Sequence, residues 1–264
     1  MHVHFLDPYH ERPSPVHRLD ARVKLALVVA FLLTAALAPA AAWPAYTLLL
    51  ALVLAAEVLS ELGVAFFLRR SLLAVPFVLA AAPVLFTTPG APLLALPWGG
   101  AVSAAGLERF ASVAVKSWIS VQAAVLLAAT TPFPDLLGAL RAWRLPRLLV
   151  AIIGLMWRYL FVMVDEALRL MRAREARSSE SGLPGLRSGG ALTWRARVTG
   201  GMAGSLFLRS LERSDRIYMA MLARGYDGEI RSLPRPAPRP AEWGILAGGL
   251  LVLGSLLALS LILV

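Results

Sequence analysis

Long uncharged runs alternate along this chain with short charged stretches. Residues 1–24 are polar, are interrupted by Pro8, Pro13 and Pro15, and carry Arg12, Arg18, Arg22 and Lys24. The run Leu25–Ala38 has no charge and predicts a first membrane span once a few flanking residues are added. Trp43 suits the far interface, Pro44 can open a helix, and a second span is expected to run to about Leu59. Glu61, Arg69 and Arg70 mark the return to the starting side. A third span over 71–87 contains Pro76 and Pro83, so a kinked helix is expected. After the uncharged loop 89–100, a fourth helix over 101–130 begins with Glu108, Arg109 and Lys116 and is apolar from Trp118 to Ala129. The stretch TPFPD at 131–135 breaks it, and Asp135 starts a short helix toward Arg141–Arg147.

Orientation follows from the arginines. The basic start places the amino terminus in the cytoplasm, and four crossings return the chain there near residue 131. The apolar run Leu148–Val164 could cross again, but everything from Asp165 to Arg239 would then lie outside. That stretch holds 14 arginines against 8 acids, which the bias of basic residues toward the cytoplasm opposes. Arg158 also interrupts the run. The pattern therefore predicts one long amphipathic helix over 148–177, lying under the membrane or against other helices. A last span, Trp243–Val264, follows the proline-punctuated linker LPRPAPRPAEW. The expected fold class is an all-α integral membrane protein with about five transmembrane helices and a cytoplasmic module of long amphipathic helices. Its segments are 1–24 (cytoplasmic), 25–131 (four spans), 132–240 (cytoplasmic module and linker) and 241–264 (last span).

Composition agrees. Hydrophobic residues make up 58% of the 264 and charged residues 16%, where an ordinary globular domain has about 25% charged. A soluble fold of this length could not hide that much apolar surface. The net charge of +10 is concentrated between apolar runs, as expected for charge that sets orientation and not for nucleic-acid binding. There is no cysteine, which excludes disulfides, thiolate metal sites and thiol catalysis. Lysine occurs only at positions 24 and 116.

The basic module contains two similar helix endings. One helix closes with Arg174-Glu175-Ala176-Arg177-Ser178; a second, expected over about 203–224, closes with Leu222-Ala223-Arg224-Gly225. Gly225 fits the left-handed residue that ends many helices. Arg209, Arg213, Arg216 and Arg224 are spaced to share a face, with Leu211, Tyr218 and Leu222 as an apolar stripe beside it. Arginine near a helix carboxyl end is also ordinary electrostatics, worth about 0.3–1 kcal/mol.

The run Arg213–Gly228, RSDRIYMAMLARGYDG, resembles the CbiQ/EcfT family, the transmembrane (T) components of energy-coupling factor (ECF) transporters, a branch of ABC importers. The opening His17-Arg18-Leu19-Asp20-Ala21-Arg22-Val23-Lys24-Leu25 is also similar, with Ala21 where the family pattern has proline. LDPYHERPSPVHRLD and ARGYDG point to the cobalt-transport CbiQ group. The resemblance implies that two Ala-Arg-Gly/Ser motifs end two coupling helices, which places the coupling residues at Ala176, Arg177, Ser178, Ala223, Arg224 and Gly225. It implies two cytoplasmic ABC ATPase subunits and a CbiM-like substrate-capturing membrane subunit as partners, to which a small CbiN-like accessory can be added. The chain would sit in a bacterial inner membrane and import cobalt or nickel; a vitamin, such as biotin, is the competing substrate.

Absences fit that role. No Gly-x-x-x-x-Gly-Lys-Ser/Thr loop occurs, so ATP and Mg are expected on the partner ATPases, with no cofactor, metal or catalytic residue in this chain. His2, His4, His10 and His17 are expected to be solvated or packed, and Glu57, Glu108 and Lys116 to be interfacial. Two other readings stay open: a polytopic enzyme acting on lipid, and a membrane scaffold whose basic module binds anionic lipid.

Overall fold

The computed structural model describes residues 8–95, 101–177, 191–228 and 237–262. The chain is an all-α integral membrane protein. Four helical stretches are long and apolar enough to cross a membrane: Val64–Thr87, Ala104–Thr130, Arg147–Arg177 and Pro240–Ile262. Trp43–Leu59 is apolar but shorter.

Two compact units are present, one formed by 8–143 with 235–264, the other by 144–234. The first opens with the short helix α1 (Pro15–Arg18), capped by Ser14, and α2 (Ala21–Leu37), whose first turn is capped by Asp20 accepting from the Arg22 N–H at 2.7 Å. α3 (Trp43–Leu59) starts on Pro44, whose missing N–H costs nothing at a helix start. Its buried positions Tyr46, Leu49, Val53 and Glu57 form one stripe at spacings of three and four.

The third span departs from the expected kinked helix, because it is broken outright. α4 (Val64–Ser71) passes through a 3₁₀ turn at Leu72–Ala74 into α5 (Val75–Ala80), and α6 (Val84–Thr87) follows a further turn. Pro76 and Pro83 each sit at the start of a piece, where a missing donor and a ring clash interrupt a continuing helix. The loop beyond it carries a short antiparallel pairing of β1 (Pro92–Ala95) with β2 (Ala101–Ser103).

α7 (Ala104–Thr130) is capped by Ser103, whose Oγ accepts from the Gly106 N–H and donates to the Thr88 carbonyl. Gly106 is required there, since a Cβ would lie 2.8 Å from the Leu85 carbonyl oxygen. TPFPD ends α7 as expected, and α8 (Phe133–Ala142) begins two residues before Asp135, with Pro134 in its first turn. α11 (Pro240–Ile262) starts three residues earlier than its apolar run suggested. Glu242 explains this: its carboxylate accepts from the Arg239 N–H at 2.8 Å and the Asp20 N–H at 3.1 Å, capping the new helix and tying it to the start of α2.

The core of this unit joins α2, α3, α7 and α11 through Phe31, Ala35, Leu49, Val53, Ile119 and Leu253, among others. Two cross-braces hold α2 against α7. Lys24 of α2 donates to the Thr130 carbonyl at the end of α7 (2.9 Å), and Lys116 of α7 donates to the Ala38 carbonyl at the end of α2. Each lysine places its charge on the negative end of the other helix, where carbonyls lack intrahelical partners.

The second unit contains α9 (Arg147–Arg177) and α10 (Leu192–Ala223). α9 matches the expected single long helix. α10 starts well before residue 203 and runs straight through Gly200, Gly201 and Gly204.

Candidate functional site

α9 and α10 pack antiparallel. Glu166 of α9 accepts from Arg209 Nη1 at 2.6 Å, while Arg158 and Tyr159 share a cavity with Ile217, Met221, Arg224 and Tyr226. The less exposed face of α10 runs through Val198, Met202, Leu206, Ser210, Arg213, Ile217 and Met221, a spacing of three and four that suits helix-on-helix packing. The expected stripe of Leu211, Tyr218 and Leu222 is instead exposed, at 47%, 54% and 44%. The expected row of arginines also divides by role. Arg209 bonds Glu166, Arg216 lies 3.9 Å from Glu212 one turn back, and Arg224 stands at the helix end. The Arg209 hydrogen bond, with Arg169 and Arg213 nearby, holds the Glu166 carboxyl below the usual carboxylate range.

The second motif has a well-defined geometry. Ala223 is the last helical residue, Arg224 is the cap (φ −95°, ψ 10°) and Gly225 has φ +78°. The Gly225 N–H donates to the Leu222 carbonyl at 2.9 Å and the Tyr226 N–H to the Met221 carbonyl at 3.0 Å. These are the two bonds of a Schellman ending, which consume carbonyls that would otherwise lack donors. Met221 and Tyr226 line the same cavity, the apolar contact that accompanies such an ending. Ala223, Arg224 and Gly225 are exposed, so the guanidinium stands on a stiff, closed tip. In the first motif Ala176 and Arg177 are also exposed at the last turn of α9, while Ser178 lies outside the described residues.

The two tips are far apart on this helix pair. Arg224 shares its cavity with Arg158, and Arg177 lies nineteen positions further along α9, about 28 Å at 1.5 Å per residue.

The remaining candidates fall into structural places. His17 Nε2 lies 2.9 Å from the His10 carbonyl and Nδ1 lies 2.6 Å from Ser14 Oγ. Burial lowers its pKa, opposed by the His10 hydrogen bond. The His10 N–H donates to the Ala129 carbonyl, and its ring packs edge-on against Phe66. His2 and His4 lie outside the described residues. Among the described residues no three His, Asp or Glu side chains cluster as a metal site would require. Glu57, expected at an interface, is fully buried in the α3 stripe, and neither carboxyl oxygen has a hydrogen-bond partner among the described residues. Sequence reasoning missed the Glu166–Arg209 bond and the cavity beside Arg158; the charge at Arg158 inside an apolar run was the available signal.

Residues 12–235 match the family described as Cobalt transport protein, CbiQ. The chain belongs to that family. It is 32% identical over 173 residues to the cobalt transport protein CbiQ of Rhodobacter capsulatus, covering 63% of this chain and 66% of that one, just under two thirds. It is 28% identical over 228 residues to the energy-coupling factor transporter transmembrane protein EcfT of Lactococcus lactis, covering 81% of each. It is 34% identical over 107 residues to the nickel permease LarQ of Lactiplantibacillus plantarum, covering 40% and 36%. The chain is thus a multi-pass membrane protein whose relatives are membrane components of transporters.

Proposed function

We propose that this chain is the T component of an ECF-type importer, carrying ATP-driven motion from two cytoplasmic ATPase subunits to a CbiM-like substrate-capturing membrane subunit. The observation that carries this reading is the pair of arginine-bearing helix tips, Arg177 and Arg224, set about 28 Å apart on one antiparallel pair. One tip is available to each of two subunits, and one subunit could not easily take both.

The physics of the tip suits the task. A closed helix end is stiff, and guanidinium forms paired hydrogen bonds with a carboxylate in a partner's groove, which lysine cannot reproduce. When the two ATPases close on ATP, the tips must move with them, and rigid helices of about 46 Å transmit that movement. ATP and Mg belong to the partner subunits, and the substrate is captured by the membrane partner, with a CbiN-like accessory where one is present. Cobalt or nickel is the proposed cargo, supported by the names of the Rhodobacter and Lactiplantibacillus relatives; a vitamin such as biotin is the alternative.

The module faces the cytoplasm of a bacterial inner membrane, as does the amino terminus. α9 is long and apolar enough to cross, but crossing would carry 14 arginines outward. α2, α3, the broken third segment, α7 and α11 then make five crossings.

The test is the double variant Arg177→Glu with Arg224→Glu. It is expected to insert normally, to lose co-purification with the ATPases and to abolish uptake. Full ATPase recovery with normal uptake would overturn the reading. An externally applied label reacting with a cysteine placed at Arg195 in intact cells would overturn the orientation.

A further inference from the structure

Two stretches of chain join the arginine-bearing helices α9 and α10 to the membrane bundle. One is 143–146, between α8 and α9; the other follows Gly228 and enters α11 at Arg239. Movement of the helix pair reaches the bundle through the covalent chain only along these two. Both lead to the start of α2. α8 packs along α2, and Lys24 of α2 holds the Thr130 carbonyl three residues before α8 begins.

At the second junction one carboxylate serves two helices. Glu242 is the third residue of α11, the position from which an acid accepts the N–H of the residue that caps its own helix. Its Oε2 does so with Arg239 at 2.8 Å. Its other oxygen, Oε1, accepts from the N–H of Asp20, the cap residue of α2, at 3.1 Å. α2 cannot supply that acid itself, because its own third residue is the buried Val23. Glu242 therefore completes the start of α2 from 222 residues away in sequence. The same two helices meet again where Gly249 lies beside Leu27.

Arg239 stands between Pro238 and Pro240, which restrict the backbone on both sides of it. A pull arriving there is passed on with little slack. With Glu242 in place it moves α2 and α11 together and does not simply unwind the first turn of α11. We infer that Glu242 is a positioning residue for coupling, which delivers the movement of the chain leaving α10 to α2 as well as to α11. The inference rests on the T-component reading above and adds the place where movement enters the bundle.

Two measurements test it. In the isolated chain in detergent, hydrogen exchange is resolved at the Asp20 and Arg239 amides. Glu242→Ala is expected to speed both about tenfold, the effect of removing a hydrogen bond to a charged acceptor. Unchanged exchange at Asp20 would sink the inference. The chain is then co-expressed with its ATPases and membrane partner, purified as the complex and reconstituted. Uptake of cobalt(II), nickel(II) or biotin, whichever the wild type carries, is measured against ATP hydrolysed. Glu242→Ala should keep ATPase recovery and hydrolysis while uptake per ATP falls severalfold. Asp20→Ala removes the side-chain cap of α2 but leaves its backbone bond to Glu242, so its uptake per ATP should match the wild type. An equal fall in Asp20→Ala would reduce Glu242 to ordinary helix capping. Parallel loss of ATPase recovery and uptake in Glu242→Ala would make its role structural, and an unchanged ratio of uptake to hydrolysis would also overturn the inference. If Glu242→Ala does not insert, Glu242→Gln, which keeps one accepting oxygen, decides by the same readings: faster exchange with lower uptake per ATP supports the role, and wild-type values in both overturn it. Failure of the wild type to recover ATPases would bring down the T-component reading and the coupling role with it. That result is distinguishable, because exchange at Asp20 would still respond to Glu242→Ala.

Discussion

Arg209 of α10 donates to Glu166 of α9 at 2.6 Å across 43 residues of sequence, and Arg169 approaches the same carboxylate at 3.2 Å. This shared acid fixes how far one long helix slides along the other. It therefore fixes where the two arginine tips stand.

Reversing either charge alone, Glu166→Arg or Arg209→Glu, is expected to loosen the helix pair, and reversing both should restore most of what either single change removes. Hydrogen exchange across 198–221 reads this directly. Restoration by the double change distinguishes a true pair from two unrelated surface effects. An equal loss in all three variants would show that the pair does not set the register.

The lysine braces give a second expectation. Lys24 is 6% exposed and its ammonium satisfies the Thr130 carbonyl at the end of α7. Lys24→Met leaves that carbonyl without its donor, a loss of about 1–3 kcal/mol, visible as a lower melting temperature in detergent. Lys24→Arg should not substitute, because the bulkier planar group does not fit a buried site shaped for an ammonium. Lys116→Met should cost less, since Lys116 is only half-buried.

Gly225 sits at φ +78° with nothing within 4 Å of a built Cβ, so substitution there acts through the backbone alone. Gly225→Ala should cost about 1–2 kcal/mol of local stability, and Gly225→Asn less, since asparagine tolerates this region. The expected consequence is faster hydrogen exchange at 224–226 and weaker ATPase co-purification, with insertion unchanged. Normal exchange in Gly225→Ala would show that the tip does not rely on this conformation.

Two glycines side by side on α11 should behave differently. A Cβ on Gly249 would lie 2.5 Å from Leu27 Cδ2 of α2, whereas Gly248 has open space. Gly249→Val should destabilise by about 1–3 kcal/mol through overpacking, with Gly249→Ala milder because the end of Leu27 can turn aside. Gly248→Ala should be neutral or slightly stabilising in the isolated chain. Melting temperatures of the three variants test this.

His17 supplies a pH dependence. Burial depresses its folded pKa below the ordinary 6.5, so the unfolded segment binds its proton more readily than the folded one. The packing contribution is complete above pH 6.5 and declines as the pH falls through that value. Protease cleavage after Arg18 should therefore rise between neutral pH and pH 5.5, and His17→Gln should flatten the change. An acid-induced rise that persists in His17→Gln would assign the effect elsewhere.

Much of this could be read from the chain, and the exceptions have physical causes. α3, α7 and α11, the break at TPFPD and the long helix ending at Arg177 follow from apolar length and proline placement. Gly225 was legible because only glycine is common at a left-handed helix end. The early start of α10 was hidden by Gly200, Gly201 and Gly204, which each cost a helix about 1 kcal/mol and read as breakers. Tertiary context carries the helix through them. The choice of stripe on α10 was not legible, because its residues offer two apolar faces and spacing alone does not say which meets α9. Glu57 looked interfacial by its position near a helix end, yet the spacing of Leu49 and Val53 extends to it and draws it inside. The motif arginines were proposed through resemblance; the structure adds their distance along α9, which no linear pattern contains.

The two braces leave the folded chain with almost no reactive side-chain amine. Lys24 and Lys116 are the lysines of this sequence, and both ammonium groups are committed to carbonyls inside the bundle. A dye or crosslinker aimed at primary amines would therefore react slowly at Lys24, and more slowly at Lys116 than at a solvated lysine, while the bundle is folded. Faster labelling of either would report that α2 and α7 have come apart.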